Sequence, residues 1–194
     1  MSAAELPTDD VFLAPWTGVP IESADERFPH LVVAACFPEL GRVGQAACID
    51  RPCLFGRGAP KELPRVELVQ QRPGQTRAME PLEHTGLSRR QLDLEPLGEG
   101  RLRVVNRGNL ELSHNGQRCD ACTAEDGDTL MLGDMLVFLV QSRPRELGRS
   151  VHSPPMDFPF GEADRYGMVG ESAAAWALRN ELAGASTRRC TGRL

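Results

Sequence analysis

Two short stretches of this sequence carry side chains suited to holding a phosphate. Phe55-Gly56-Arg57-Gly58 closes one apolar run, and Leu87-Ser88-Arg89-Arg90 stands just before another. A guanidinium meets phosphate oxygens with paired N–H donors, and a serine hydroxyl adds a further hydrogen bond to the same oxygens. Loop arginines are by default solvated surface charges. These sit at strand ends, where the loops at one end of a β-sandwich can bring them together.

Other chemistry finds little support. Cys119-Asp120-Ala121-Cys122 has the gap of a zinc knuckle or a redox pair, but Cys48 and Cys53, the other two ligands that can be imagined, have a wider gap and lie far along the chain. No βαβ context surrounds the pair, as a thioredoxin-like site requires. His30, His84, His114 and His152 are scattered, without HExxH spacing. Ser88 lies outside any Gly-x-Ser-x-Gly and has arginines for neighbours where a nucleophile needs a base. Its hydroxyl is better explained as a phosphate ligand. The sequence therefore reads as a non-enzyme without cofactor or metal.

The elements that must position these residues follow from composition and pattern. A chain of 194 residues, 41% hydrophobic and 25% charged, has the make-up of a globular protein with one sizeable core. Its 19 glycines and 15 prolines punctuate it into many short elements. A net charge of −5 gives no counterion-release drive for general nucleic-acid binding and leaves room only for a local basic pocket. The N-terminal Met1 to Asp10 stretch lacks the basic and apolar regions of a secretory signal, so the expectation is a cytoplasmic chain off the membrane, its six cysteines mostly free thiols.

Residues 1–29, with Phe12, Trp16 and Ile21 among prolines and acids, show no sustained period and read as an N-terminal extension. From Leu31 short apolar runs recur: Leu31 to Cys36, Ala46 to Ile49, Leu54-Phe55, Val66 to Val69, Gln91 to Leu94, Leu102 to Val105, Leu110 to Leu112 and Met135 to Val140. Several alternate apolar with polar, as half-buried strands do. Turns such as Arg72-Pro73-Gly74, Gly98-Glu99-Gly100, Asn115-Gly116 and Gly133-Asp134 separate them. Regular strands without intervening helices predict an all-β fold, an antiparallel sandwich over residues 30–142. Residues 143–159 are proline- and arginine-rich and read as a linker. Ser172 then offers an N-cap and Gly184 a stop to one short helix, with Trp176, Leu178 and Leu182 as its packing face. That face is open to docking on the sandwich, pairing two chains, or fraying.

The order of these features resembles the forkhead-associated (FHA) domain, a phosphothreonine-binding β-sandwich. A strand ending in Gly56-Arg57, Ser88-Arg89 before a later strand, an Asn-Gly turn, and Asp126-Gly127-Asp128-Thr129-Leu130-Met131-Leu132-Gly133-Asp134 carry the resemblance. It implies that Arg57 contacts the phosphate or the adjacent peptide backbone and that Ser88 and Arg89 take phosphate oxygens. It also implies that an asparagine, Asn109 ahead of Asn106, holds the peptide main chain. Gln91 stands where the family often has a histidine that buttresses the loop; it donates and accepts hydrogen bonds without charge. The loop from Gln71 to Thr85 leaves peptide preference unread.

A second resemblance covers residues 160–194. Phe160 to Ser172 followed by a helix is similar to the opening of the AAA+ module of sigma-54-dependent transcriptional activators, in which FHA domains serve as N-terminal sensory domains. No Gly-x-x-x-x-Gly-Lys-Ser/Thr occurs, and the sequence ends about where that loop would begin, so nucleotide hydrolysis is not expected. The resemblance thus implies a phosphothreonine-binding signalling module, with a Ser/Thr kinase pathway upstream. The alternative is a degenerate sandwich acting in phospho-independent interaction or dimerisation.

Overall fold

The computed structural model describes residues 26–57, 64–149 and 153–190. Most of the expected N-terminal extension, including Phe12, Trp16 and Ile21, lies outside the described residues, as do Gly58 and His152. The strands are β1 (Phe28–Cys36), β2 (Ala46–Cys48), β3 (Cys53–Phe55), β4 (Val69–Arg72), β5 (Gln75–Ala78) and β6 (Leu92–Gly98). They continue as β7 (Arg101–Asn106), β8 (Leu112–His114), β9 (Gln117–Cys119), β10 (Ala121–Ala124), β11 (Thr129–Leu132) and β12 (Leu136–Arg143), followed by helix α1 (Ala173–Cys190). An eight-stranded sheet, in the order β5-β4-β2-β1-β12-β11-β8-β9, and a four-stranded sheet, β10-β7-β6-β3, form the two layers. The named strands pair antiparallel, as expected for the sandwich.

Alternation along the strands builds the core. In β7, Leu102 and Val104 are buried while Arg101 and Arg103 are exposed. Leu31, Val33, Leu130, Leu132, Phe138 and Val140 from the larger sheet join Phe55, Leu92, Leu94, Leu102 and Val104 from the smaller one in a single cluster. Phe55 meets Phe138 edge-on, with ring centroids 5.2 Å apart, and so ties the end of β3 to the opposite sheet.

The acidic turn before β11 is structural. Asp128 accepts hydrogen bonds from Asn115 Nδ2 at 2.7 Å, the Glu125 N–H at 2.8 Å and His114 Nε2 at 2.9 Å. Burial pushes the Asp128 carboxyl up, but these bonds outweigh it and hold it below the usual carboxylate range. Asn115 and Gly116, at φ 50° and 78°, close the β8–β9 hairpin with the twist that two-residue turns favour.

Three features differ from the sequence pattern. The stretch from Gln71 to Thr85 contains a hairpin, since β4 and β5 pair from Arg72↔Gln75 to Val69↔Ala78. All four β5 residues are exposed, so no apolar alternation announced it. Helix α1 runs through Gly184 to Cys190, because Gly184 is buried on the packed side of the helix rather than beyond its end. The packed side carries Trp176 and Arg179, which are buried, whereas Leu178 and Leu182 are exposed.

Of the alternatives open to the helix, docking on the sandwich is the one observed. Trp176 stacks on Phe158, with centroids 6.1 Å apart. The Arg72 guanidinium of β4 lies 4.5 Å over the Phe158 ring, donates to the Phe158 carbonyl at 2.8 Å and pairs with Glu171 at 2.5 Å. Trp176 Nε1 donates to Glu171 Oε2 at 3.0 Å, and Arg179 pairs with Asp164 at 2.7 Å. Ser172 caps the helix as expected, its Oγ accepting from the Ala175 N–H at 3.1 Å. No described helix is long and apolar enough to cross a membrane.

Candidate functional site

Strand register gathers the candidate residues at one end of the four-stranded sheet. Phe55 of β3 faces Leu92 of β6, and Leu92 faces Asn106 of β7. The segments leaving β3, entering β6 and leaving β7 therefore meet. They carry Gly56-Arg57, Ser88 to Gln91, and Asn106 to Leu110.

Backbone contacts lock the first two segments together. The Arg57 N–H donates to the Ser88 carbonyl at 3.1 Å, and the Gln91 N–H to the Phe55 carbonyl at 2.8 Å. Gly56 is needed for this approach: a Cβ there would stand well inside 3.0 Å of the Ser88 and Arg89 carbonyl oxygens. From below, buried Leu87 sits in the core, and buried Arg42 donates to the carbonyls of Glu80 at 2.5 Å and Pro81 at 3.4 Å. The loop leading to Ser88 is thereby held at both ends.

The third segment joins through Ser88 and Gln91. Ser88 Oγ accepts the Asn109 N–H at 3.0 Å, so its own hydroxyl hydrogen remains to be donated. Gln91, fully buried, donates from Nε2 to Asn106 Oδ1 at 2.8 Å and to the Leu110 carbonyl at 3.0 Å, while Oε1 accepts the Ser88 N–H at 3.3 Å. Its carbonyl takes the N–H groups of Arg107 at 2.8 Å and Gly108 at 3.1 Å. Asn106 turns inward, donating from Nδ2 to the Leu110 carbonyl at 2.8 Å, whereas Asn109 is exposed and its side chain has no partner among the described residues.

The two consecutive arginines behave differently. Arg90 donates to Asp93 at 2.6 and 2.7 Å, and Arg107 reaches the same carboxylate at 2.9 Å. The Arg90 hydrogen bond, joined by that of Arg107, holds the Asp93 carboxyl below its usual range. Arg89 is exposed and its guanidinium has no partner among the described residues; nor has that of Arg57, whose Nε is buried. The end of the sheet thus offers two uncommitted guanidinium groups, one hydroxyl donor and one side-chain amide. That set of donors suits a dianionic tetrahedral group.

Arg57, Ser88, Arg89 and Asn109 all belong to this assembly of three loops. Sequence reasoning missed Arg65, which donates to the Gly56 carbonyl at 2.6 Å and the Arg89 carbonyl at 3.1 Å. It lies outside every strand pattern, and only the fork of a guanidinium between two loops gives it meaning. Arg42 was likewise hidden, because its bonds to the Glu80 and Pro81 carbonyls run to backbone atoms distant in sequence, while Asn106, the second asparagine candidate, is engaged within the loop by Gln91 and Leu110.

The cysteines form no such assembly. Among the described residues no group of three or more metal-ligating side chains comes together. Burial, reinforced by Cys119, pushes the Cys122 thiol up to about 12, and burial does the same to Cys53.

No family model matches the sequence, and no curated protein matches it. Among solved structures, the FHA domain of Rv0020c is similar at 16% identity and a TM-score of 0.43, over 62% of this chain and 98% of that one. The FhaA FHA domain, solved in complex with the intracellular domain of Rv3910, is similar at 17% identity and a TM-score of 0.40, over 58% of this chain and 99% of that one. The yeast Dun1 FHA domain, in complex with a doubly phosphorylated peptide derived from Rad53, is similar at 12% identity and a TM-score of 0.39, over 87% and 97% of the two chains.

Proposed function

We propose that this sandwich is an FHA-type module that binds phosphothreonine peptides, with Arg57, Ser88 and Arg89 on the phosphate and Asn109 on the peptide main chain. The observation that carries the reading is the Ser88–Asn109 hydrogen bond at 3.0 Å. It fixes the hydroxyl between the loop of Arg89 and that of Asn109, with its own hydrogen left to donate. A phosphate carrying nearly two charges at neutral pH complements guanidinium groups that have no internal carboxylate. Gln91 supports binding over a degenerate scaffold, since it ties the loops together through neutral hydrogen bonds where the family often uses histidine.

The finer setting is a signalling role as the sensory part of a sigma-54-dependent transcriptional regulator, with residues 160–194 as the start of its ATPase module. The capped helix after Gly170-Glu171-Ser172 supports this extension of the reading. A degenerate phosphothreonine peptide library, compared with its unphosphorylated counterpart, tests the binding claim. Selective capture by the wild type, lost in the Arg57→Ala, Ser88→Ala double variant, is the expected result; equal capture of both libraries contradicts it.

A further inference from the structure

Arg65 sits beneath the site without being one of its ligands. Its place is set by the strand next to it: the Leu54 N–H donates to the Pro64 carbonyl at 2.9 Å, and the Val66 N–H to the Leu54 carbonyl at 2.9 Å, which runs residues 64–66 parallel to β3. From there the two terminal nitrogens reach different loops, Nη1 to the carbonyl of Gly56 and Nη2 to that of Arg89. Burial lowers the Arg65 pKa, yet a guanidinium keeps its charge at any physiological pH.

We propose that Arg65 is the positioning residue that sets the spacing between Arg57 and Arg89. The inference rests on the phosphopeptide reading above and adds a residue to it. Both accepting carbonyls lie at the bases of these arginines: that of Gly56 is in the peptide leading into Arg57, and that of Arg89 is its own. One planar group therefore fixes two backbone points at once. A peptide bond directs its N–H opposite to its C=O, and the Arg57 N–H accordingly reaches the Ser88 carbonyl at 3.1 Å. A lysine carries the same charge as a point donor on a flexible stem and does not reproduce the two-armed geometry.

The test uses the full chain and the variants R65K and R65Q, each measured by anisotropy against the degenerate phosphothreonine library and its unphosphorylated counterpart. Thermal melts verify that both variants remain folded at the assay temperature. Loss of two charge-assisted bonds that preorganise the site should weaken phosphopeptide binding about tenfold or more in both variants. Weakening in R65K is the informative result, because charge is retained and only the fork is lost. In the free R65K protein the backbone amide signals of Arg57 and Arg90 should shift, while that of Asn115, at the other end of the sandwich, stays in place. R65K that binds the phosphopeptides as wild type does overturns the inference and leaves the proposed function standing. A wild-type chain with no phosphate dependence removes that function, and the inference with it. If R65Q does not fold, R65K alone decides.

Discussion

The side-chain amide of Gln91 donates to Asn106 Oδ1 at 2.8 Å from a position without solvent exposure. Through this bond and the one to the Leu110 carbonyl, a single neutral residue joins the segment entering β6 to the segment leaving β7. Gly108 leaves the room for it, since a Cβ at that position would overlap the Gln91 amide.

Gln91→Ala should therefore loosen the site and the fold together. It strips Asn106 Oδ1 of its strongest donor and opens a void, which should lower stability by about 2–3 kcal/mol. Chemical denaturation measures the loss, and amide exchange should rise first at residues 106–110. Unchanged stability would show that the buried amide is dispensable.

Gly56→Ala tests the close approach of the two arginine-bearing loops. The new methyl meets backbone oxygens rather than a side chain that can swing away, so the Ser88–Arg89 segment must move. Overpacking of this kind costs about 1–3 kcal/mol, and phosphopeptide binding should fall with it. Gly41→Ala, where an added Cβ meets nothing within 4 Å, is the matched control and should leave both properties unchanged.

Much of this arrangement was legible in the residues, for reasons that differ by element. Strand β7 alternates across a buried and an open face, so period two exposed it, whereas β12 was legible as a continuous apolar run from Leu136 to Val140. Ser88 and Arg89 were legible because a hydroxyl and a guanidinium beside a strand start are types suited to an anion. The polar hairpin strand β5 buries nothing and gave no signal. Helix α1 misled: leucines at 178 and 182 look like a packing face, but Phe158 and Arg72 draw Trp176 and buried Arg179 inward instead. A guanidinium sandwiched by aromatic rings packs as a flat apolar group, which a hydrophobic pattern does not register.

Arg72 anchors that docking. Arg72→Ala leaves the Glu171 carboxylate buried with only the Trp176 and Gly161 N–H groups, and breaking a buried pair in this way costs about 3–5 kcal/mol. In a Trp16→Phe background the emission of Trp176 should shift to longer wavelength as the helix detaches. Emission unchanged from that of the parent would mean the helix holds without the pair.

Stability should also fall in mild acid. Burial first, then the nearby Arg143, pulls the His30 pKa from 6.5 down to about 4. The unfolded chain accepts this proton below about pH 6.5 and the folded chain only near 4, so stability present at neutral pH is lost as the pH falls between these values. The full effect approaches about 3 kcal/mol. Melting midpoints at pH 7.5 and pH 5 check it, and His30→Gln should flatten the slope.

The most direct test of the central claim is an amide-resolved NMR titration of the intact chain with a phosphothreonine peptide selected from the library, alongside its unphosphorylated form. The expected result is saturable shifts concentrated at Arg57, Ser88, Arg89 and Asn109, seen only with the phosphorylated peptide and abolished by Arg89→Ala. Shifts centred elsewhere, or equal responses to both peptides, would contradict a phosphate site at this end of the sandwich.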